Sequence, residues 1–162
     1  MMFVNGNATT ALMHLLTWNE LHRLRVNAEW PITKMKAEQK VLVNFARQRT
    51  PKEGAFDFYV ETPRKSIGFE VLTRPSKGKM LRKISYGNEV DEFVFVIPHD
   101  SLLPYQKTDA PHGFHVRSKS LPKAFAKKGL YIWLVDLGEQ RIVKRAPISR
   151  VYHVESSLPS RK

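Results

Sequence analysis

The chain of 162 residues carries 27 Lys and Arg against 15 Asp and Glu, a formal charge of +12, and has no cysteine. That length suits one compact domain with a small extension, and 42% hydrophobic residues supply a core that a disordered basic tail would lack. Missing cysteine excludes disulfides, thiolate zinc sites and cysteine nucleophiles. The segment Met1 to Leu16 has no basic n-region, and no apolar run is long enough for a bilayer, so an intracellular, cytoplasmic protein without a membrane partner is expected.

Residues 1–30 read as an N-terminal extension, 31–154 as an α/β domain, and 155–162 as a flexible basic tail. Asn7 to Trp18 suits a short helix with Leu12, Leu15 and Leu16 on one side. From Arg23 to Trp30 polar and apolar residues alternate as in a strand, while Leu21, Leu24 and Ala28 equally suit a helix. Both readings stay open, and the extension is a candidate for a dimer or DNA contact. Pro31 and Thr33 then open a helix expected to run to about Arg49, with Met35, Glu38, Leu42 and Phe45 in one stripe. An acid at Glu38 needs a partner, or lies at the stripe edge and reaches water.

Ala55 to Glu61 and Ile67 to Thr73 read as two strands of a hairpin joined by Thr62 to Ser66. Phe56, Phe58 and Val60 are expected on one face, with Gly68, Glu70 and Leu72 sharing a face of the second strand. A helix over about Ser76 to Asn88 follows. Asp91 to Pro98 is nearly all apolar, as a central strand covered on both faces should be. Leu121 to Lys128 suits a short basic helix, Leu130 to Val135 a second buried strand, and Arg141 to Lys144 a last one, with one more around Val151 to Val154. The order implies a mixed β-sheet with helices on both faces.

The positive charge is clustered. Between Arg64 and Lys83 stand seven basic residues (Arg64, Lys65, Arg74, Lys77, Lys79, Arg82 and Lys83) against one acid, Glu70, which places half the net charge in one window. A second acid-free block holds Arg117, Lys119, Lys123, Lys127 and Lys128, and a third holds Arg141, Lys144, Arg145 and Arg150. Such clusters neutralise phosphates, so a nucleic acid is the expected partner, DNA first and RNA also open.

Asp57 and Glu70 each lie inside an otherwise apolar strand, and the hairpin can bring both onto one face. Two hard oxygen ligands on a rigid sheet beside a basic window suit a Mg²⁺- or Mn²⁺-dependent phosphodiesterase, with a structural ion pair as the alternative. Asp57, followed thirteen residues later by Glu70 in Gly-Phe-Glu-Val-Leu-Thr, then the basic helix Met80 to Tyr86 and the strand Asp91 to Pro98, resembles the PD-(D/E)XK nuclease superfamily. The compact archaeal Holliday-junction resolvases are among its members. The resemblance covers about 33–98, with Leu130 to Val135 as a fifth strand.

It implies a restriction-endonuclease-like fold over 31–154, a magnesium-dependent DNA endonuclease, Asp57 and Glu70 as catalytic metal ligands, and Glu38 as the helix-borne third ligand. Tyr86, with Arg82 four residues before it, stands where some members carry a Gln-x-x-x-Tyr pair. One departure matters: Leu72 occupies the place of the motif lysine. Either Lys79 or Lys83 on the next helix, or Lys77 before it, supplies the missing cation, or the domain only binds nucleic acid. The phosphate grip then falls to Arg64, Lys65, Arg74, Lys77, Lys79, Arg82, Lys123, Lys127 and Lys128.

Weaker signals are the pair His112 and His115, spaced for a metal but lacking a third ligand, and the isolated His14, His22, His99 and His153, for which structural roles are expected. Trp18, Trp30 and Trp133 are candidates for base stacking, though Trp133 lies in a core-like strand.

Overall fold

Two apolar strands set the centre of the molecule. β4 (Glu92–Pro98) and β5 (Leu130–Asp136) are buried on both faces, so neither can lie at a sheet edge. The computed structural model, which describes residues 5–43, 52–107 and 119–156, places them in a six-stranded mixed sheet. Its other strands are β1 (Lys34–Val43), β2 (Lys52–Glu61), β3 (Ser66–Val71) and β6 (Arg141–Pro147), and spatial order follows chain order. β1, β2 and β3 pair antiparallel, β3, β4 and β5 pair parallel, and β6 returns antiparallel to β5. Helices cover both faces, giving an α/β architecture.

Helix α1 (Asn5–Val26) covers one face. Met13, Leu21 and Leu24 are fully buried there against Phe58, Val60, Ile67, Phe69, Val94, Val96 and Trp133. Helix α2 (Lys77–Lys83), the 3₁₀ turn Ile84–Glu89 that continues it, a second turn at Lys123–Ala126, and α3 (Ile148–Val151) cover the other. Met80, Ile84, Phe125 and Val151 meet Phe93, Phe95, Ile97, Ile132 and Leu134 on that side. Alternation along β4 and β5 thus divides one apolar run between two cores. Ser76 starts α2 by accepting the Lys79 amide on its side chain.

Several expectations are corrected. The N-terminal segment is a single 22-residue helix, which decides the open reading of Arg23 to Trp30 in favour of helix as far as Val26. Its buried stripe is Met13, Thr17, Leu21 and Leu24, and Leu15 is 55% exposed. Of the helix expected from Thr33 to Arg49, Lys34–Val43 is the edge strand β1 and 44–49 lie outside the described residues. Met35 packs on the α1 side and Val41 on the α2 side, while Lys34, Lys36, Glu38 and Lys40 are exposed. Glu38 is therefore on a strand, and at φ +56 it adopts the left-handed region within it. The strand expected around Val151 to Val154 is reduced to two isolated bridges, Gln106 with Tyr152 and Leu121 with Val154. Leu121 to Lys128 is a single 3₁₀ turn rather than a helix. His112, His115, Arg117 and the tail beyond Ser156 lie outside the described residues. Among the described residues, no helix is long and apolar enough to cross a membrane.

A further correction positions the site. Phe58 and Val60 face α1, but Phe56 joins the α2 core, stacked on Tyr59 at a centroid distance of 6.4 Å. The alternation of β2 therefore breaks at Asp57. Gly68 makes room for the displaced Phe56, since a Cβ there would lie 2.6 Å from its ring. We predict that Gly68→Ala lowers unfolding free energy by about 1–3 kcal/mol, the usual penalty of overpacking. Gly78→Ala, whose Cβ would meet nothing nearer than Arg82 at 3.7 Å, should instead raise stability by up to about 1 kcal/mol through helix propensity. Urea denaturation of the two variants checks both signs.

Candidate active site

The ladder between β2 and β3 runs from the Glu61–Ser66 pair to the Phe58–Phe69 pair and stops. The next opposed residues are Asp57 and Glu70, and here a side chain takes over from the backbone. Asp57 Oδ2 accepts the Val71 amide at 2.7 Å, filling the place of the missing ladder carbonyl. The strands part at this point, and both acids sit in the gap. Asp57 lies in the plane of the sheet, while Glu70 projects from the α2 face, as alternation with Phe69 and Val71 requires.

Glu70 is 7% exposed, the most deeply placed acid of the described residues. Its Oε2 stands 3.2 Å from Lys83 Nζ, while Oε1 is buried without a hydrogen-bond partner. Burial, with the Asp57 charge adding to it, pushes the Glu70 carboxyl up to about 7 despite Lys83. For Lys83 burial works downward, yet the Glu70 charge and hydrogen bond outweigh it, and the ammonium is held above its ordinary range. The Lys83 ammonium also lies 5.0 Å from the centre of the Tyr86 ring. Lys83 thus reaches the Glu70 carboxylate from helix α2. Leu72 itself packs into the α2-face core.

A fourth member comes from the opposite face. His14 on α1 holds Nδ1 2.8 Å from the Thr10 carbonyl one turn earlier, and Nε2 lies 3.7 Å from Asp57 Oδ1. With Nδ1 donating to that carbonyl, a neutral ring would turn a lone pair towards the carboxylate. Protonation removes the conflict, so contact with Asp57 raises the His14 pKa against the opposing effect of burial. His14, expected to be isolated, is the residue that sequence reasoning missed. Reading Met13, Thr17, Leu21 and Leu24 as the buried stripe would have carried the neighbouring His14 towards the sheet.

The remaining candidates divide. Glu38 lies between the Ala37–Phe58 and Gln39–Phe56 pairs, across β1 from Asp57, but its side chain is exposed and joins none of the contacts just described. Lys79 turns its ammonium to the Arg74 carbonyl at 2.9 Å, away from Glu70. Lys77, Lys79 and Arg82 line the exposed side of α2, while Lys123, Lys127 and Lys128 border the turn beside it, with Lys127 bonded to Asn88. Between them lies an open groove of about 600 Å³ containing Leu81, Ser85, Lys123 and Lys127. Arg64 and Lys65 are elsewhere, in the β2–β3 turn at the far end of those strands, where Lys65 pairs with Glu92 at 2.7 Å.

Among the described residues, no group of three or more His, Asp or Glu side chains is placed to hold a metal. The donor set on offer is two carboxylates, which fits Mg²⁺ with its retained waters better than a fully protein-bound ion. The unpartnered Glu70 Oε1 is the atom such an ion would satisfy. Compared with known proteins, the chain matches no protein-family model, no curated sequence and no solved structure.

The pH dependence of stability follows. Glu70 and His14 both have folded pKa values above their ordinary ones, so the folded state binds more protons than the unfolded chain. Their contribution is complete at low pH and is lost as pH rises, for Glu70 between about 4.5 and about 7. We predict that Glu70→Gln removes most of the fall in unfolding free energy between pH 5 and pH 8 in metal-free buffer. Equal falls in variant and wild type, read by urea midpoints, would contradict the placement.

Proposed function

We propose that the protein is a Mg²⁺-dependent endonuclease acting on DNA, built on the restriction-endonuclease-like plan of PD-(D/E)XK enzymes with its lysine relocated. The observation that carries this reading is the buried Glu70 carboxylate, unpartnered at Oε1, beside Asp57 where β2 and β3 part. Structural ion pairs satisfy their buried oxygens, and this one does not.

Asp57 and Glu70 would hold the ion, which when bound supplies Lewis acidity towards a phosphate oxygen and a water of lowered pKa. Lys83 carries the role that Leu72 cannot, placing a positive charge beside Glu70 where negative charge develops on the phosphorus oxygens. The Val71 amide occupies Asp57 Oδ2, so Oδ1, which faces His14 at 3.7 Å, is the Asp57 oxygen left to meet an ion. His14 holds Asp57 from behind by charge rather than by a short hydrogen bond. Lys123 and Lys127 line the groove, and with the exposed cations of α2 they would bind backbone phosphates without reading sequence.

A second reading has its own observation. Two acids stand against two bases, so the cluster neutralises itself, and Asp57 Oδ2 already has a protein donor. On that reading the domain binds DNA without cutting it.

Cleavage of supercoiled DNA separates the two. With Mg²⁺ or Mn²⁺ the wild type should nick, and Asp57→Ala or Glu70→Gln should lose at least about 100-fold. Lys83→Met should lose about 10²–10³-fold, as removal of a charge stabiliser does, while Lys79→Met stays near wild type. An equal loss in Lys79→Met would overturn the assignment of Lys83. Salt-dependent DNA binding without any cleavage would establish the second reading.

A further inference from the structure

A second concave region lies on the α1 face, at the end of the parallel strands opposite Glu70. It is a cavity of about 720 Å³ between the β2–β3 turn, the first residues of β3, β4 and β5, and the C-terminal part of β6. The connection from α1 to β1 roofs it with Trp30, which is held by its amide on the Leu24 carbonyl at 3.2 Å and by an edge contact with Trp133 at 5.9 Å. Trp133 is 2% exposed and anchored on Phe69 at 5.0 Å, so this wall is rigid.

Arg145 on β6 gives the cavity its character. Its guanidinium lies 5.9 Å from the Trp30 ring centre and 5.5 Å from that of Trp133. Held also by Glu20 of α1 at 3.5 Å, this guanidinium fixes the two indoles as a rigid wall against which a planar heteroaromatic ring can stack. Arg64 and Lys65 border the cavity from the β2–β3 turn, and since Arg145 is already paired with Glu20, these two cations stand against one lining acid, Glu92. That acid is paired with Lys65 at 2.7 Å. From β3, beside the turn, to β5, which carries Tyr131 and Trp133, is two strand spacings, about 10 Å. A single nucleotide extends about as far from base to phosphate.

We infer that this cavity binds one unstacked nucleotide, its base against Trp30 and Tyr131 and its phosphate between Arg64 and Lys65. Aromatic walls take any base face. An acidic peptide would find the cations but would leave the indole wall without a planar partner. The nucleotide can come free or as an unpaired residue of a strand. The site needs neither Asp57 nor a metal, and it stands or falls apart from the nuclease reading.

The test is quenching of tryptophan fluorescence in the full chain, in EDTA so that no divalent ion takes part. Adenosine monophosphate is titrated against adenosine, inorganic phosphate, a 5′-phosphorylated hexathymidylate and a hexaglutamate peptide. The nucleotide should bind at least tenfold more tightly than adenosine or phosphate. Arg64→Ala, in an exposed turn, and Arg145→Met, which keeps the aliphatic stem, should each weaken it at least fivefold, while Asp57→Ala leaves it unchanged. Competition by the oligonucleotide would identify a strand residue as the source, and its absence a free nucleotide. No quenching by either nucleotide ligand, equal affinity for inorganic phosphate, wild-type affinity in both arginine variants, or binding of hexaglutamate alone would overturn the inference.

Discussion

The site depends on one hydrogen bond, that from the Val71 amide to Asp57 Oδ2. In a regular ladder that amide would meet a backbone carbonyl of β2, and the strands would stay closed. By giving a carboxylate instead, the chain opens a gap at a point where rigid elements meet on both sides. Phe56 crosses to the α2 core as a consequence, and Gly68 has no side chain because Phe56 needs the space. One local substitution of side chain for backbone thus links packing to the placing of two acids.

What stands in that gap is costly in folding terms. Glu70 is buried, its carboxyl is pushed up to about 7, and one of its oxygens has no partner. Lys83 compensates the other oxygen, reached from a helix that the Ser76 cap and the buried Met80 hold in place. Such a group is retained at a cost in stability, which the proposed metal site would explain. On the proposed nuclease reading, a lysine moved from strand to helix is physically undemanding, because a flexible four-carbon stem reaches the same point from either backbone.

The central strands, α2 and the hairpin bearing Asp57 and Glu70 were legible because their patterns are unambiguous. Asp91 to Pro98 and Leu130 to Val135 have no polar interruption, and that alone places them inside a covered sheet. The edge strand β1 was not legible as a strand. One side of it faces solvent and it carries few apolar residues, so Met35, Glu38, Leu42 and Phe45 happened to fall at helical spacing. The displacement of Phe56 was equally hidden, since it follows from a hydrogen bond fourteen residues away rather than from any local pattern. His14 escaped for a third reason: the apolar Leu15 drew the inner face of α1 to the wrong side, although it is exposed.

The central claim is that Asp57 and Glu70 together form a divalent-cation site, and calorimetric titration of the whole chain with Mn²⁺ tests it most directly. The account predicts one site per chain, weakened at least tenfold by either Asp57→Ala or Glu70→Gln and left unchanged by Glu38→Gln. Absence of Mn²⁺ binding, or binding that survives both substitutions, would contradict it.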